Sequence, residues 1–216
     1  MRLLDRLRNA VQRPAQPSGD PSEFGQRRAN AYRELFGGGP IRIIPHDLFE
    51  KPPFGGRVDV HVYGFRHEGA DEQIQVAVTS GMSDYRMIHA GDRLPRRREL
   101  VQYFRQCRSA DAVRLHDLAW LPIAQRFCLD FFETVGPHPA YEKSWPNALF
   151  IPSLVQLHAA FKLDLGGDEM RFLWHVPLSQ GELDFKMVNG LDALLGRMQE
   201  RELPWVFEES TRVALV

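Results

Sequence analysis

The chain has 216 residues, 27 Lys and Arg against 28 Asp and Glu, and 44% hydrophobic residues. That length and apolar content suit one sizeable core, and the balanced charge argues against a protein whose main work is coating nucleic acid. Two cysteines exclude a disulfide scaffold. No apolar run nears the ~20 residues of a membrane-spanning helix and the N-terminus is charged throughout, so a cytoplasmic protein without membrane insertion is expected.

In chain order, residues 1–13 carry Leu3, Leu4, Leu7 and Val11 at helical spacing among arginines, which predicts a short amphipathic helix. The stretch from Pro14 to Pro21 reads as a linker, so residues 1–20 form an extension and 21–216 one domain. A helix is expected from Pro21 or Ser22, with Phe24, Arg28, Ala31 and Leu35 on one face and Gly37-Gly38-Gly39-Pro40 as its stop. Ile41–Ile44 predicts a short strand. Val58, Val60 and Val62 alternate with Asp59, His61 and Tyr63, and Ile74, Val76 and Val78 alternate likewise, so an antiparallel pair is expected.

Residues 99–105 fit a strand or a helix. Over 116–134, Leu118, Leu121, Ala124 and Cys128 keep helical spacing, and Pro122 predicts that the helix starts near it. Short extended segments are expected around Pro152. Met170–Val176 reads as a strand ending at Pro177, and Ser179-Gln180-Gly181-Glu182 has the spacing of a capping box. A helix to about Val188, punctuation at Asn189-Gly190, a second helix through Leu194 and Met198, and a terminal strand pair at 205–207 and 212–215 complete the reading. Helices and strands mix without regular alternation, which predicts an α+β fold.

A search for chemistry finds no catalytic constellation and no metal or cofactor site. The eight histidines include no HExxH spacing, and Cys107 and Cys128 stand far apart. Gly81-Met82-Ser83-Asp84 starts like a nucleophile elbow but lacks the second small residue after the serine. It reads better as a turn in which Gly81 takes a backbone conformation costly for other residues and Ser83 and Asp84 bond local amides. Arg96-Arg97-Arg98 reads as a solvated face whose field Asp92 and Glu99 blunt.

Several segments, in order, resemble the Suppressor of fused family. Val78-Thr79-Ser80-Gly81-Met82-Ser83-Asp84 is similar to the family's strand and "GMSD" turn, and Arg98-Glu99-Leu100 to the following "R-x-EL" segment, which favours a strand there. Trp120-Leu121-Pro122-Ile123-Ala124 resembles a helix opening with Trp. Phe172-Leu173-Trp174-His175-Val176-Pro177-Leu178, then Glu182-Leu183, Gly190 and Leu194-Leu195, resembles the family's strand, capped helix, Gly and second helix. Trp205 and Arg212 match its terminal strand.

The resemblance covers about residues 40–216 and implies a mixed, largely antiparallel β-sheet flanked by helices. It also implies a non-enzymatic domain whose partner is another protein. Eukaryotic members grip a transcription-factor peptide between two lobes. This sequence matches the first lobe, so that grip is not carried over, and it looks more like shorter bacterial members proposed as immunity proteins against toxin domains. Gly81, Ser83, Asp84, Trp120, Pro177, Glu182, Gly190 and Arg212 match family positions, for fold or for binding. Arg212 is expected to pair with Asp84 or Glu182. Two other readings stand beside this one: a hydrolase or metal-dependent enzyme using His61, His175, Ser83 or Asp84, and an adaptor that binds an extended peptide at a sheet edge.

Overall fold

The computed structural model describes residues 21–46, 57–65, 73–87, 96–137, 144–153 and 162–216. The expected N-terminal helix and linker over 1–20, and the extended segment at 154–157, lie outside them. Helix α1 (Pro21–Leu35) begins with Pro, whose missing N–H is no loss in a first turn. It buries Phe24, Arg28 and Tyr32 and ends as Gly37 turns to a φ of 72°.

Strands β1 (Arg42–Ile44), β2 (Asp59–Phe65), β3 (Ile74–Ser80) and β4 (Arg97–Phe104) follow as an antiparallel meander. After α2 (Ser109–Gln125) come β5 (Thr134–Val135), β6 (Asn147–Pro152), β7 (Lys162–Asp164) and β8 (Glu169–Leu178). The sheet runs β1-β2-β3-β4-β8-β6-β5, with β7 on β8 beside β6. Only β4 and β8 pair in parallel, Arg97–Val101 against Met170–Trp174. Helices α3 (Gln180–Asn189) and α4 (Leu191–Glu200) close the regular structure.

Alternation along the strands makes two apolar layers. Val58, Val60, Val62, Leu100 and Phe150 face α2, whereas Tyr63, Val76, Val78, Val101, Phe172 and Val176 face α1, α4 and the C-terminal residues. The segment at 99–105 is thus a central strand.

Three expectations need correction. The helix near Pro122 begins at Ser109, where Asp111 accepts the backbone N–H of Arg108 at 2.8 Å as a cap. Pro122 lies in its last turn, and Arg126 closes the helix at φ 57° with its N–H on the Pro122 carbonyl. Residues 126–134 are not helical.

Strand β8 does not stop before Pro177 but passes through it, with Pro177 opposite Ala148. The Pro177 carbonyl accepts from Arg212 Nη2 at 3.3 Å, on the side away from β6. A strand residue's N and C=O point the same way, so the missing N–H takes nothing from the β6 ladder.

The predicted terminal strands are irregular backbone. Beyond Val101 and Trp174, β4 and β8 separate, and the C-terminal segment lies in the fork. Phe207 N donates to Tyr103 O at 2.9 Å on one side, and Arg212 reaches Pro177 on the other. These residues plug the fork instead of pairing with each other.

Candidate functional site

The turn after β3 shows what the motif residues do. Gly81 has φ 130°, and a Cβ there would stand 1.9 Å from the Arg57 carbonyl oxygen, so only glycine fits. Ser83 is fully buried. Its hydroxyl donates to Glu99 Oε1 at 2.6 Å and accepts from Arg28 Nη1 at 3.0 Å. Asp84 binds Arg28 through both carboxylate oxygens. The expectation that Ser83 and Asp84 bond local amides is therefore corrected: their side chains reach α1 and β4.

Glu99 is the centre of this cluster, and the sequence reading gave it no such role. Gly81 N and Ser83 N donate to Oε1 at 2.9 and 3.0 Å, and Thr79 Oγ1 donates to Oε2 at 2.6 Å. Arg28 stands 3.7 Å away. Burial pushes the Glu99 carboxyl above its ordinary value, and Arg28, Ser83, Thr79 and Gly81 pull it back. The converging donors leave it nothing to donate to, so the geometry holds the carboxylate. Burial opposes the Arg28 charge, but Glu99 and Asp84 raise its pKa.

Arg97 and Arg98 are not the solvated face expected of them, being 2% and 3% exposed. Arg97 lies over the Phe24 ring and pairs with Asp168 at 3.2 Å, which also holds Arg86. Arg98 and Arg96 share Asp130. Burial, with Arg171 alongside, brings the Arg98 pKa down to about 10.

A second node forms where α3 begins. Glu182 is fully buried and completes the capping box, with Ser179 N donating to Oε2 at 2.7 Å and Glu182 N to Ser179 Oγ at 3.1 Å. Its Oε1 accepts from Arg212 Nη2 at 3.0 Å and Leu215 N at 3.1 Å. Arg212 also lies over the Trp145 ring. Of the two partners expected for Arg212, the structure places Glu182 there, while Asp84 belongs to Arg28. Gly190, at φ 88°, separates α3 from α4. Trp120 packs against His46, His116 and Tyr85.

The four residues of the enzyme reading do not converge. His61 contacts Tyr32 and Tyr63 on one side of the sheet, and His175 contacts Phe150 on the other. Among the described residues no group of three or more His, Cys, Asp or Glu is placed to hold a metal. None of their helices is long and apolar enough to cross a membrane.

His175 is fully buried, and burial, with Arg114 as a lesser cause, holds its pKa well below 6.5. The unfolded chain takes up a proton here below about pH 6.5 and the native chain does not. Stability is therefore expected to fall as pH drops through that value, by up to about 1.4 kcal/mol per unit. Denaturant curves at pH 7.5 and 5.5 measure this. The loss should shrink in His175→Gln, and an equal loss in both proteins would reject the assignment.

Several large apolar side chains stay exposed. Phe132 is 43% exposed, and at the end of α3 Met187 is 73% and Val188 82% exposed. Lys186 joins these two places, its Nζ donating to Phe132 O at 3.1 Å and Thr134 Oγ1 at 3.3 Å. Lys186 thus ties the end of α3 to the edge of the sheet at β5. At the opposite edge Ile41 and Ile43 are about half exposed beside β1.

A family model, that of Suppressor of fused protein, matches residues 56–210. The chain belongs to the Suppressor of fused family. No curated protein matches the sequence. Among solved structures, a putative Suppressor of fused homologue from Neisseria gonorrhoeae FA 1090 is similar at TM-score 0.64 and 17% identity, covering 90% of this chain and 98% of that one. A Sufu–Fu complex structure matches at TM-score 0.64 and 11% identity, over 88% and 91% of the two chains. Drosophila Suppressor of Fused matches at TM-score 0.58 and 13% identity, over 94% of this chain and 51% of its own. The mixed, mostly antiparallel sheet with its helices is thus the Suppressor of fused fold, in a protein-interaction family.

Proposed function

We propose that this chain is a cytoplasmic immunity-type protein, without chemistry of its own, that neutralises a bacterial toxin by binding it and covering its working surface. The observation that carries the reading is the exposure of Phe132, Met187 and Val188, three large side chains left in water around the contact of Lys186 with β5. Such groups suit the dry centre of an interface. The likeness to shorter bacterial members supports the toxin as partner. We assign the eight motif residues to the fold, because Gly81, Ser83 and Asp84 are satisfied by Glu99 and Arg28, Glu182 and Arg212 by each other, and Trp120, Pro177 and Gly190 have packing or turn roles. Residues 21–216 would be the binding domain and 1–20 an extension.

A tagged copy, cross-linked in its source cells and identified by mass spectrometry against an untagged control, tests this. The expected result is one stoichiometric partner that is toxic when expressed alone and harmless with this chain. A Met187→Asp, Val188→Asp double variant should lose capture at least tenfold with an unchanged melting temperature, since both residues lie in solvent. Full protection by that variant would move the interface away from β5. A second reading, an adaptor that takes an extended peptide onto an edge strand, is favoured by exposed Ile41 and Ile43 beside β1. It requires Ile43→Asp to abolish binding and a short synthetic peptide to compete.

A further inference from the structure

The fork between β4 and β8 holds a small, half-open cavity. Gln102, Trp174, His175, Pro177, Trp205 and Arg212 are among its walls, and its volume is about 10 Å³, room for one water and no organic ligand. His175 Nδ1 is hydrogen-bonded to the Gln102 carboxamide oxygen, which can only accept, so the proton sits on Nδ1. That leaves Nε2 as a bare lone pair, buried and without a partner. On the other wall the Arg212 Nε–H is likewise buried without an acceptor.

We propose that this cavity is a binding site for a single water molecule, which donates to His175 Nε2 and accepts from Arg212 Nε–H. The two walls make opposite demands, one for a donor and one for an acceptor. An anion would serve the arginine and leave the imidazole bare, and a metal cation would do the reverse beside a guanidinium. An apolar occupant would leave both groups unsatisfied at the usual cost of a buried polar atom. Water alone meets both demands in this volume. It joins β8 to the C-terminal segment, so that segment is seated through hydrogen bonds as well as through its aromatic side chains.

The test uses the full chain labelled with ¹⁵N at histidine, the His175 resonance being assigned by its loss in His175→Gln. The proposal expects a neutral ring protonated on Nδ1, an Nε2 shift displaced to the hydrogen-bonded position, and a cross-peak between a long-lived water and the His175 ring proton. An Nε2 at the unbonded position, a doubly protonated ring, or no bound-water cross-peak would overturn it. A crystal structure provides an independent readout: solvent density within hydrogen-bond distance of both nitrogens supports the site, and a dry or differently filled cavity refutes it.

Discussion

Glu99→Ala is expected to destabilise the protein by about 4 kcal/mol and to lower its melting temperature by roughly 10 °C. The carboxylate is fully buried and accepts from two backbone amides and two hydroxyls, with the Arg28 guanidinium beside it. Removing it leaves those donors without an acceptor in a place water does not reach, and Arg28 retains only Asp84 and two serines. Glu99→Gln keeps one acceptor oxygen but offers an amide to donors, so its loss should be smaller than that of Glu99→Ala. Chemical denaturation at neutral pH measures both. A loss below about 1 kcal/mol for Glu99→Ala would show that the cluster is not what fastens α1 to the sheet.

Arg212→Ala is the second large effect, at about 3 kcal/mol. It removes the cation opposite the buried Glu182 carboxylate and the contact with the Trp145 ring, and frees the Pro177 carbonyl. Glu182 would keep the Ser179 and Leu215 amides, which sets this effect below that of Glu99→Ala. The melting temperature should fall together with partner capture. Lost capture with an unchanged melting curve would instead make Arg212 a contact residue and refute the structural assignment.

What the sequence disclosed follows from the range of the interactions involved. Alternating valines in β2 and β3 and the Ser179–Glu182 box are local patterns, and each led to the correct element. The Arg212–Glu182 pair was within reach because two charged residues matched one family pattern. The burial of Arg97 and Arg98 was not, because their acids come from 71 and 32 residues away and Asp92 and Glu99 seemed nearer answers. The central part of Glu99 was hidden for the same reason: its partners are on α1, β3 and the turn, and a lone Glu amid arginines looks like their counter-ion. Pro122 misled in another way, since a first-turn signal and a last-turn proline carry the same letter. The terminal segment has aromatic and β-branched residues, yet its position in a fork depends on where β4 and β8 part.

The parallel contact of β4 with β8 also bears on how the molecule assembles. The meander from β1 to β4 connects strands close in sequence, but the seam that joins it to the other half brings together residues some 73 positions apart. Closing so long a loop has its own entropic cost before any reward arrives. The seam should therefore set the refolding rate. Substitutions that weaken Leu100 against Leu173 would slow folding, whereas those confined to the β1–β2 hairpin would chiefly hasten unfolding. The fork at the end of that seam cannot be filled until both strands are in place, which makes the C-terminal segment a late arrival, set down on a sheet already complete.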